Sequence, residues 1–477
     1  MSASQTISFA PKPQTKSAVA AARTLLKTTR SRCPVCHQSC PAEVWKTAEQ
    51  PARVMLERTC EAHGLHSVCI ASDARFYWVS TGARDGSAGC CSNGGGCCNA
   101  AGDARGTLGR NALLPQGTTM EALSTCLALI EIVQSCNLSC PTCYANSPLG
   151  TGAKVQATPI EEVKRRVQGV IDRKGKIEIL QFSGGEPTLH PQFFELLEWA
   201  QTHPQIDYVL VNTNGVRIAH DPEFARQFAV AARRRRVQLY LQFDGLQSEG
   251  QHELRGGDLR ATRQEVVRRA GEMDLPITLA MTVTPSNLAH VWESIEFGLR
   301  SPHIQGITFQ PVFGSGRTVD PRVQSGIDRT EMKRLNTADI LLQAVEQSAG
   351  KLKFEDFTPL PCGDPNCATI GYLLRLPSGI HSVSDFIDFG QLQGFLKDRV
   401  QYNLADLAQC GCESEPLGQV LKEFQLQAGM TFRIMVKPFM DSWTWDQDRI
   451  DRCCTHVIRP DGSLDSFCRY YAGGGGV

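Results

Sequence analysis

From Cys126 onward the chain alternates between short apolar, β-branched runs and longer amphipathic stretches. The runs are Cys126–Val133, Ile177–Phe182, Tyr208–Val211, Val237–Phe243, Ile277–Val283 and Gly306–Val312. Between them lie helix-like stretches at Pro159–Arg173, Pro191–Thr202, Asp221–Arg233, Thr262–Met273 and Asn287–Arg300. Thr158-Pro159, His190-Pro191 and Asp221-Pro222 are helix-start signals, because proline is tolerated in a first turn. Nearly continuous apolar strands joined by helices predict a parallel sheet covered on both faces, hence an α/β barrel or doubly wound sheet. Six strand–helix units are too few for a closed eight-unit barrel.

The chain outside this region is different. Residues 1–31 carry Lys12, Lys16, Arg23, Lys27 and Arg30 and no acid, and are expected to be a flexible basic tail. Arg23 interrupts the apolar run Ala18 to Leu26, which argues against a signal peptide. Such a tail could lie on an anionic membrane; a solvated tail is the simpler expectation. Residues 32–80 pair Cys33-Pro34-Val35-Cys36 with Cys60-Glu61-Ala62-His63. Two short knuckles offering Cys33, Cys36, Cys60 and His63 suit a tetrahedral zinc or iron ion. Residues 81–125 form a Cys- and Gly-rich bridge with Cys90, Cys91, Cys97 and Cys98. One thiol of each pair, taken as Cys91 and Cys98, together with Cys126 could hold an iron–sulfur cluster. Residues 321–477 add Cys362, Cys367, the doublet Cys453/Cys454, and Cys468. Cys362, Cys367, Cys454 and Cys468 are the expected ligands of a further cluster.

Charge adds little, since Lys+Arg and Asp+Glu are both 49 and give no reason to expect a nucleic-acid partner. Cysteine adds a great deal. Twenty cysteines in close clusters read as metal ligands in a reducing cytoplasm rather than as disulfides. No apolar run reaches the ~18 residues of a membrane-spanning helix.

The chemistry is expected where strands end. After the first strand comes Cys136-Asn137-Leu138-Ser139-Cys140-Pro141-Thr142-Cys143. Cys136, Cys140 and Cys143 can hold three corners of a [4Fe–4S] cluster and leave one iron open. After the second strand comes Ser183-Gly184-Gly185-Glu186-Pro187-Thr188, after the third Asn212-Thr213-Asn214-Gly215, and after the fourth Gln242-Phe243-Asp244-Gly245. The C-x3-C-x2-C loop followed by GGEP resembles the radical S-adenosylmethionine (SAM) superfamily. That resemblance implies a partial (β/α)6 barrel and a SAM molecule held at the open iron. Its cofactor contacts would be Gly184, Gly185, Glu186, Pro187, Asn212, Asn214 and Asp244. The superfamily usually has an aromatic residue just before the third cysteine; here that position is Thr142, and Tyr144 follows instead.

A longer series of motifs resembles the tetraether lipid synthases: CPVC, CxxHG, TCLALIEIVQSCNLSCPTCYA, SGGEPTLHPQF, QFDG, GITFQPVFGSGR, PCGDPNC and KPFMDSWTWDQDRIDRCCTHVIRPDGSLDSFCRYY. This implies coupling of isoprenoid or alkyl chains, with two auxiliary clusters and a rubredoxin-like metal site. An unactivated C–H bond is beyond any side-chain acid or base, so a cofactor must supply the radical. The expected partners are a hydrophobic lipid or other small substrate and an external one-electron donor of flavodoxin or ferredoxin type. The expected location is the cytoplasm, with peripheral contact at the inner membrane face. The competing class is a radical SAM enzyme modifying a peptide or small metabolite. A non-enzymatic metal scaffold gives GGEP no role. His456 is expected to donate or accept a hydrogen bond beside a cluster.

Overall fold

The computed structural model describes residues 23–78, 125–317, 334–359, 363–386 and 428–472. Cys90, Cys91, Cys97, Cys98 and Cys362, and the tail up to residue 22, lie outside the described residues.

The N-terminal module is an antiparallel meander of β1 (Thr24–Arg32), β2 (Ser39–Lys46), β3 (Val54–Cys60) and β4 (Gly64–Ala71). Alternate residues face inward, so Ala42, Val44, Val54, Leu56, Val68 and Ala71 form a small separate core. β1 corrects the expected tail, which was to run to residue 31. Its outward polar residues hide the strand in the sequence. Their partners are remote: Lys27 Nζ reaches Asp446 at 2.7 Å and Asp448 at 2.9 Å, and Arg23 reaches Glu57 at 2.8 Å.

The large sheet carries β5 (Leu127–Val133), β6 (Ile177–Gly184), β7 (Ile206–Thr213), β8 (Val237–Gln242), β9 (Ile277–Val283) and β10 (Ile304–Pro311), parallel and in chain order. Each predicted run became one of these strands. The helices between them bury one stripe each. In Ile160–Lys174 the buried residues are Ile160, Val163, Val167, Val170 and Ile171, at helical spacing. Burying such side chains contributes about 1.5–3 kcal/mol apiece. Asp221 caps Pro222–Ala232 by accepting from the Phe224 amide at 3.0 Å. The predicted helix at Asn287–Arg300 is shorter, Val291–Leu299, after a single 3₁₀ turn.

After β10 the chain adds β11 (Thr358–Pro359), β12 (Thr369–Leu376), β13 (Gly379–Ser382), β14 (Thr431–Val436), β15 (Thr455–Ile458) and β16 (Leu464–Ser466). These strands lie beyond the expected boundary at residue 320. β14 joins the sheet in parallel beside β10, and β15 joins in parallel beside β5. The described residues of 321–477 therefore extend both edges of the sheet. Lys437 Nζ donates to Thr455 Oγ1 at 2.7 Å, linking the segment after β14 to β15. Inward residues of all eight parallel strands line one cavity, among them Leu129, Gln181, Asn212, Gln242, Thr278, Gln310, Met435 and Thr455. The sheet is thus curled around that space. No helix among the described residues is long and apolar enough to cross a membrane.

Candidate active site

Cys136, Cys140 and Cys143 stand together on the wall of this cavity. Their loop is held from four directions. Cys136 N donates to Pro148 O at 2.9 Å, and Thr142 Oγ1 donates to Leu254 O at 3.0 Å. Asn214 Nδ2 donates to Asn137 Oδ1 at 2.6 Å and lies 3.7 Å from Cys136 Sγ. Arg317 donates to Cys140 O at 3.0 Å and to Ser147 O at 2.7 Å.

These thiols fit an iron–sulfur cluster. Burial pushes Cys136 up to about 12 and also raises Cys140. Bare thiols in that setting stay protonated, so thiolate character needs a cationic centre among them. They are also not drawn together as ligands of one ion would be. Among the described residues, the only metal-ligating group with all ligand atoms within 4.8 Å of one another is Cys33, Cys36, Cys60 and His63.

The glycines of GGEP have a backbone reason. A Cβ on Gly184 (φ 112°) would lie 2.0 Å from Val133 O, and one on Gly185 would lie 2.0 Å from Ser135 O. Gly185 N donates to Val133 O at 2.8 Å. Only glycine lets β6 close on the root of the cluster loop. Gly184 and Gly185 line the cavity, as do Asn212, Asn214 and Tyr144. Tyr144 is braced edge-on by Tyr471 at 4.8 Å and tilted on Phe467 at 5.6 Å.

Glu186, Pro187 and Asp244, expected as cofactor contacts, are engaged with the chain's own groups. Glu186 is 1% exposed and its carboxylate is fully used by the chain. Oε1 accepts from Thr188 N at 3.1 Å, Thr188 Oγ1 at 2.7 Å and Thr213 Oγ1 at 2.7 Å. Oε2 accepts from Asn214 N at 2.7 Å. Glu186 therefore ties the end of β6 to the end of β7. Pro187 is buried as the first residue of the 3₁₀ turn Pro187–Leu189. Asp244 points away into a buried ion pair, accepting from Arg255 Nε at 2.6 Å and Nη2 at 2.8 Å.

Arg255 was missed in the sequence and faces the cavity beside Cys140. It lies eleven positions after Asp244 with no motif between them. Gln181, Gln242 and Gln310 were also missed, although each is a polar break on the inward face of an apolar strand. Gln310 Nε2 donates to Tyr240 Oη at 2.7 Å across the cavity wall.

Cys367, Cys453, Cys454 and Cys468 form a second group of thiols, with burial raising Cys367, Cys453 and Cys468, the last to about 11. Cys454 Sγ lies 3.2 Å from the Cβ position of Gly363, which places it at the 363–367 turn. Cys453 Sγ instead donates to Thr455 O at 3.1 Å. The Arg449 guanidinium stands beside Cys367 and Cys468. Cys126 lies next to this group in the backbone, its amide donating to Cys454 O at 3.0 Å. His456 hydrogen-bonds Thr125 Oγ1 and Cys453 O, both at 2.9 Å.

In the N-terminal module the two knuckles meet at one end of the meander. His63 Nδ1 lies 3.5 Å from Cys60 Sγ and 3.6 Å from Cys33 Sγ, and Cys36 Sγ lies 3.7 Å from Cys60 Sγ. The His63 hydrogen bond draws the Cys60 thiol down to about 6, poising it as a thiolate ligand. Three sulfurs and one nitrogen at this spacing fit one tetrahedral ion. Cys60→Ser is expected to lose one metal ion per chain and about 4 kcal/mol or more of stability. Metal analysis and thermal melting check this; a melt like the wild type's would remove the metal's structural role.

Residues 130–298 match the radical SAM superfamily, and residues 25–72 match the HMPTM N-terminal zinc ribbon domain. The chain is 23% identical to a 7,8-dihydro-6-hydroxymethylpterin dimethyltransferase of Methanocaldococcus jannaschii, over 93% of each chain. It is 30% identical to a mycofactocin maturase of Mycobacterium ulcerans, over 32% of this chain and 39% of that one. It is 32% identical to a GTP 3′,8-cyclase of Chlorobaculum tepidum, over 18% of this chain and 25% of that one. The chain is thus an enzyme whose residues 130–298, with the cluster loop and the glycine-closed strand end, match the radical SAM superfamily, preceded by a segment that matches a zinc ribbon.

Proposed function

We propose that this enzyme acts on an unactivated carbon of a largely apolar substrate, an alkyl or isoprenoid chain of a lipid, and couples or modifies that chain. The observation that carries this reading is the composition of the cavity. Val312, Phe313, Phe439 and Phe467 are among its lining residues, and Phe467 directly precedes Cys468 of the second thiol group. Cys136, Cys140 and Cys143 would hold a cluster that, when bound, would pass SAM one electron from an external donor and so start the radical chemistry. The chain's own residues do the rest. Gly184, Gly185, Asn212 and Asn214 offer backbone and amide groups for SAM at the strand ends. Arg255, fixed by Asp244, presents a cation there. The aromatic wall excludes water and holds the reacting carbon.

Cys362, Cys367, Cys454 and Cys468 are the proposed ligands of an auxiliary cluster next to the wall, and Cys91, Cys98 and Cys126 those of another. A flavodoxin or ferredoxin is the proposed electron donor, and the membrane surface is the proposed source of substrate.

A second reading takes a pterin as substrate. It is favoured by the dimethyltransferase relative, which aligns over 93% of both chains. Gln181, Gln242 and Gln310 would pair with the edges of such a heterocycle. One experiment separates the two readings. Anaerobic enzyme, SAM and reductant are incubated with a deuterated isoprenoid lipid or a deuterated hydroxymethylpterin, and 5′-deoxyadenosine is weighed for deuterium. The lipid reading expects transfer from the lipid alone. It also expects Cys367→Ala to make 5′-deoxyadenosine at the wild-type level while coupled product falls at least tenfold. Transfer from the pterin alone would replace the first reading with the second.

A further inference from the structure

β14 turns a charge into the active-site cavity. Phe432, Ile434 and Val436 are buried on its other face. Arg433 and Met435 alternate with them, and Lys437 follows in the same phase; all three line the cavity. The strand register sets their depth. Arg433 pairs with Gly306 near the start of β10, and Lys437 N donates to Phe309 O near its end. The lining strands are parallel, and the cluster loop follows the C-terminal end of β5. Lys437 is therefore rooted at the cluster end of the cavity and Arg433 at the far end, roughly 13 Å deeper along the strand.

Three cations line this cavity, Arg255, Arg433 and Lys437, and among the described residues no carboxylate does. Two of the three are accounted for. Arg255 is matched by Asp244 at 2.6 Å. Lys437 donates to Thr455 Oγ1 at 2.7 Å, and its charge bears on Cys468. Arg433 is half-buried, makes no hydrogen bond or ion pair among the described residues, and has its Nε buried without a partner. Its charge bears on the phenols of Tyr240 and Tyr372, which burial keeps neutral. Tyr240 is in turn bonded by Gln310. A guanidinium drawn out of bulk water with only neutral groups around it is costly, and an anion on it forms strong charge-assisted hydrogen bonds.

We propose that Arg433 is a specificity-determining residue: the substrate carries a carboxylate or phosphate that seats on Arg433 at the far end of the cavity, while its reacting carbon lies toward the cluster end. This rests on the reading of the cavity as the substrate site, and it holds for a chain or a pterin.

The test compares probes that differ in charge, titrated calorimetrically into the reconstituted full chain with saturating SAM under anaerobic conditions. Decanoate and decyl phosphate are each set against decanol, and pterin-6-carboxylate against 6-hydroxymethylpterin. At least one anion is expected to bind ten times more tightly than its neutral counterpart. The stronger of decanoate and decyl phosphate tells a carboxylate site from a phosphate site. Arg433→Met keeps the bulk, removes the charge, and is expected to erase that preference with SAM affinity unchanged. Should Arg433→Met fail to fold, Arg433→Lys keeps the charge, loses the planar fork, and is expected to weaken the anions alone. Preference in the pterin pair alone would support Arg433 and retire the chain reading. Anions that fail to bind, or bind no better than their neutral counterparts, would overturn the proposal. So would a preference that survives in Arg433→Met, or a loss of SAM affinity in that variant.

Discussion

Glu186→Ala is expected to cost about 3–5 kcal/mol of stability and to loosen the cluster loop. The size follows from what the carboxylate holds. Four donors converge on it: Thr188 N, Thr188 Oγ1, Thr213 Oγ1 and Asn214 N. None can reach water once the carboxylate is gone, since Glu186, Thr188 and Thr213 are all buried. Each orphaned buried donor costs about 1–3 kcal/mol, and partial relaxation keeps the total below the sum. The effect reaches the cluster loop through Asn214, whose side chain bonds Asn137 beside Cys136. Reconstituted Glu186→Ala is therefore expected to melt earlier and to hold less iron. Urea denaturation and iron analysis check both. A variant with wild-type stability and iron but weakened SAM binding would return Glu186 to the cofactor contacts.

The same residue shows where sequence reading stops. The glycines of the GGEP motif face the cavity, yet its carboxylate turns away from it to Thr188, Thr213 and Asn214. Which way a side chain points at a strand end depends on what the next strand brings up, here Thr213 and Asn214. The six central strands were legible because a parallel strand buried on both faces is nearly continuous in apolar residues. The edge strands were not. β14 and β15 are short, and neither is followed by a helix–strand repeat that would announce it. β1 looked like a tail because the partners of its polar side chains, such as Asp446 for Lys27, lie hundreds of residues away. The metal module was legible because its ligands come from two local knuckles. Arg255 was not, because its role arises from a fold that sets it between Asp244 and Cys140.

Simultaneous replacement of Cys136, Cys140 and Cys143 by alanine is expected to have the largest functional effect. All three thiols line one cavity at the ends of the parallel strands, and Asn214, Arg317 and Thr142 hold their loop in place. Removing them leaves no protein ligand for the cluster that feeds an electron to SAM. The variant should lose about four irons per chain, one cluster's worth. The metal of the N-terminal module should stay, because Cys33, Cys36, Cys60 and His63 belong to a separate sheet. The decisive measurement is 5′-deoxyadenosine formed from SAM and dithionite under anaerobic conditions, wild type against the triple variant. We predict multiple turnovers or a full stoichiometric burst in the wild type and none in the variant. Continued 5′-deoxyadenosine formation by a folded triple variant would contradict the assignment of this loop as the radical-generating site.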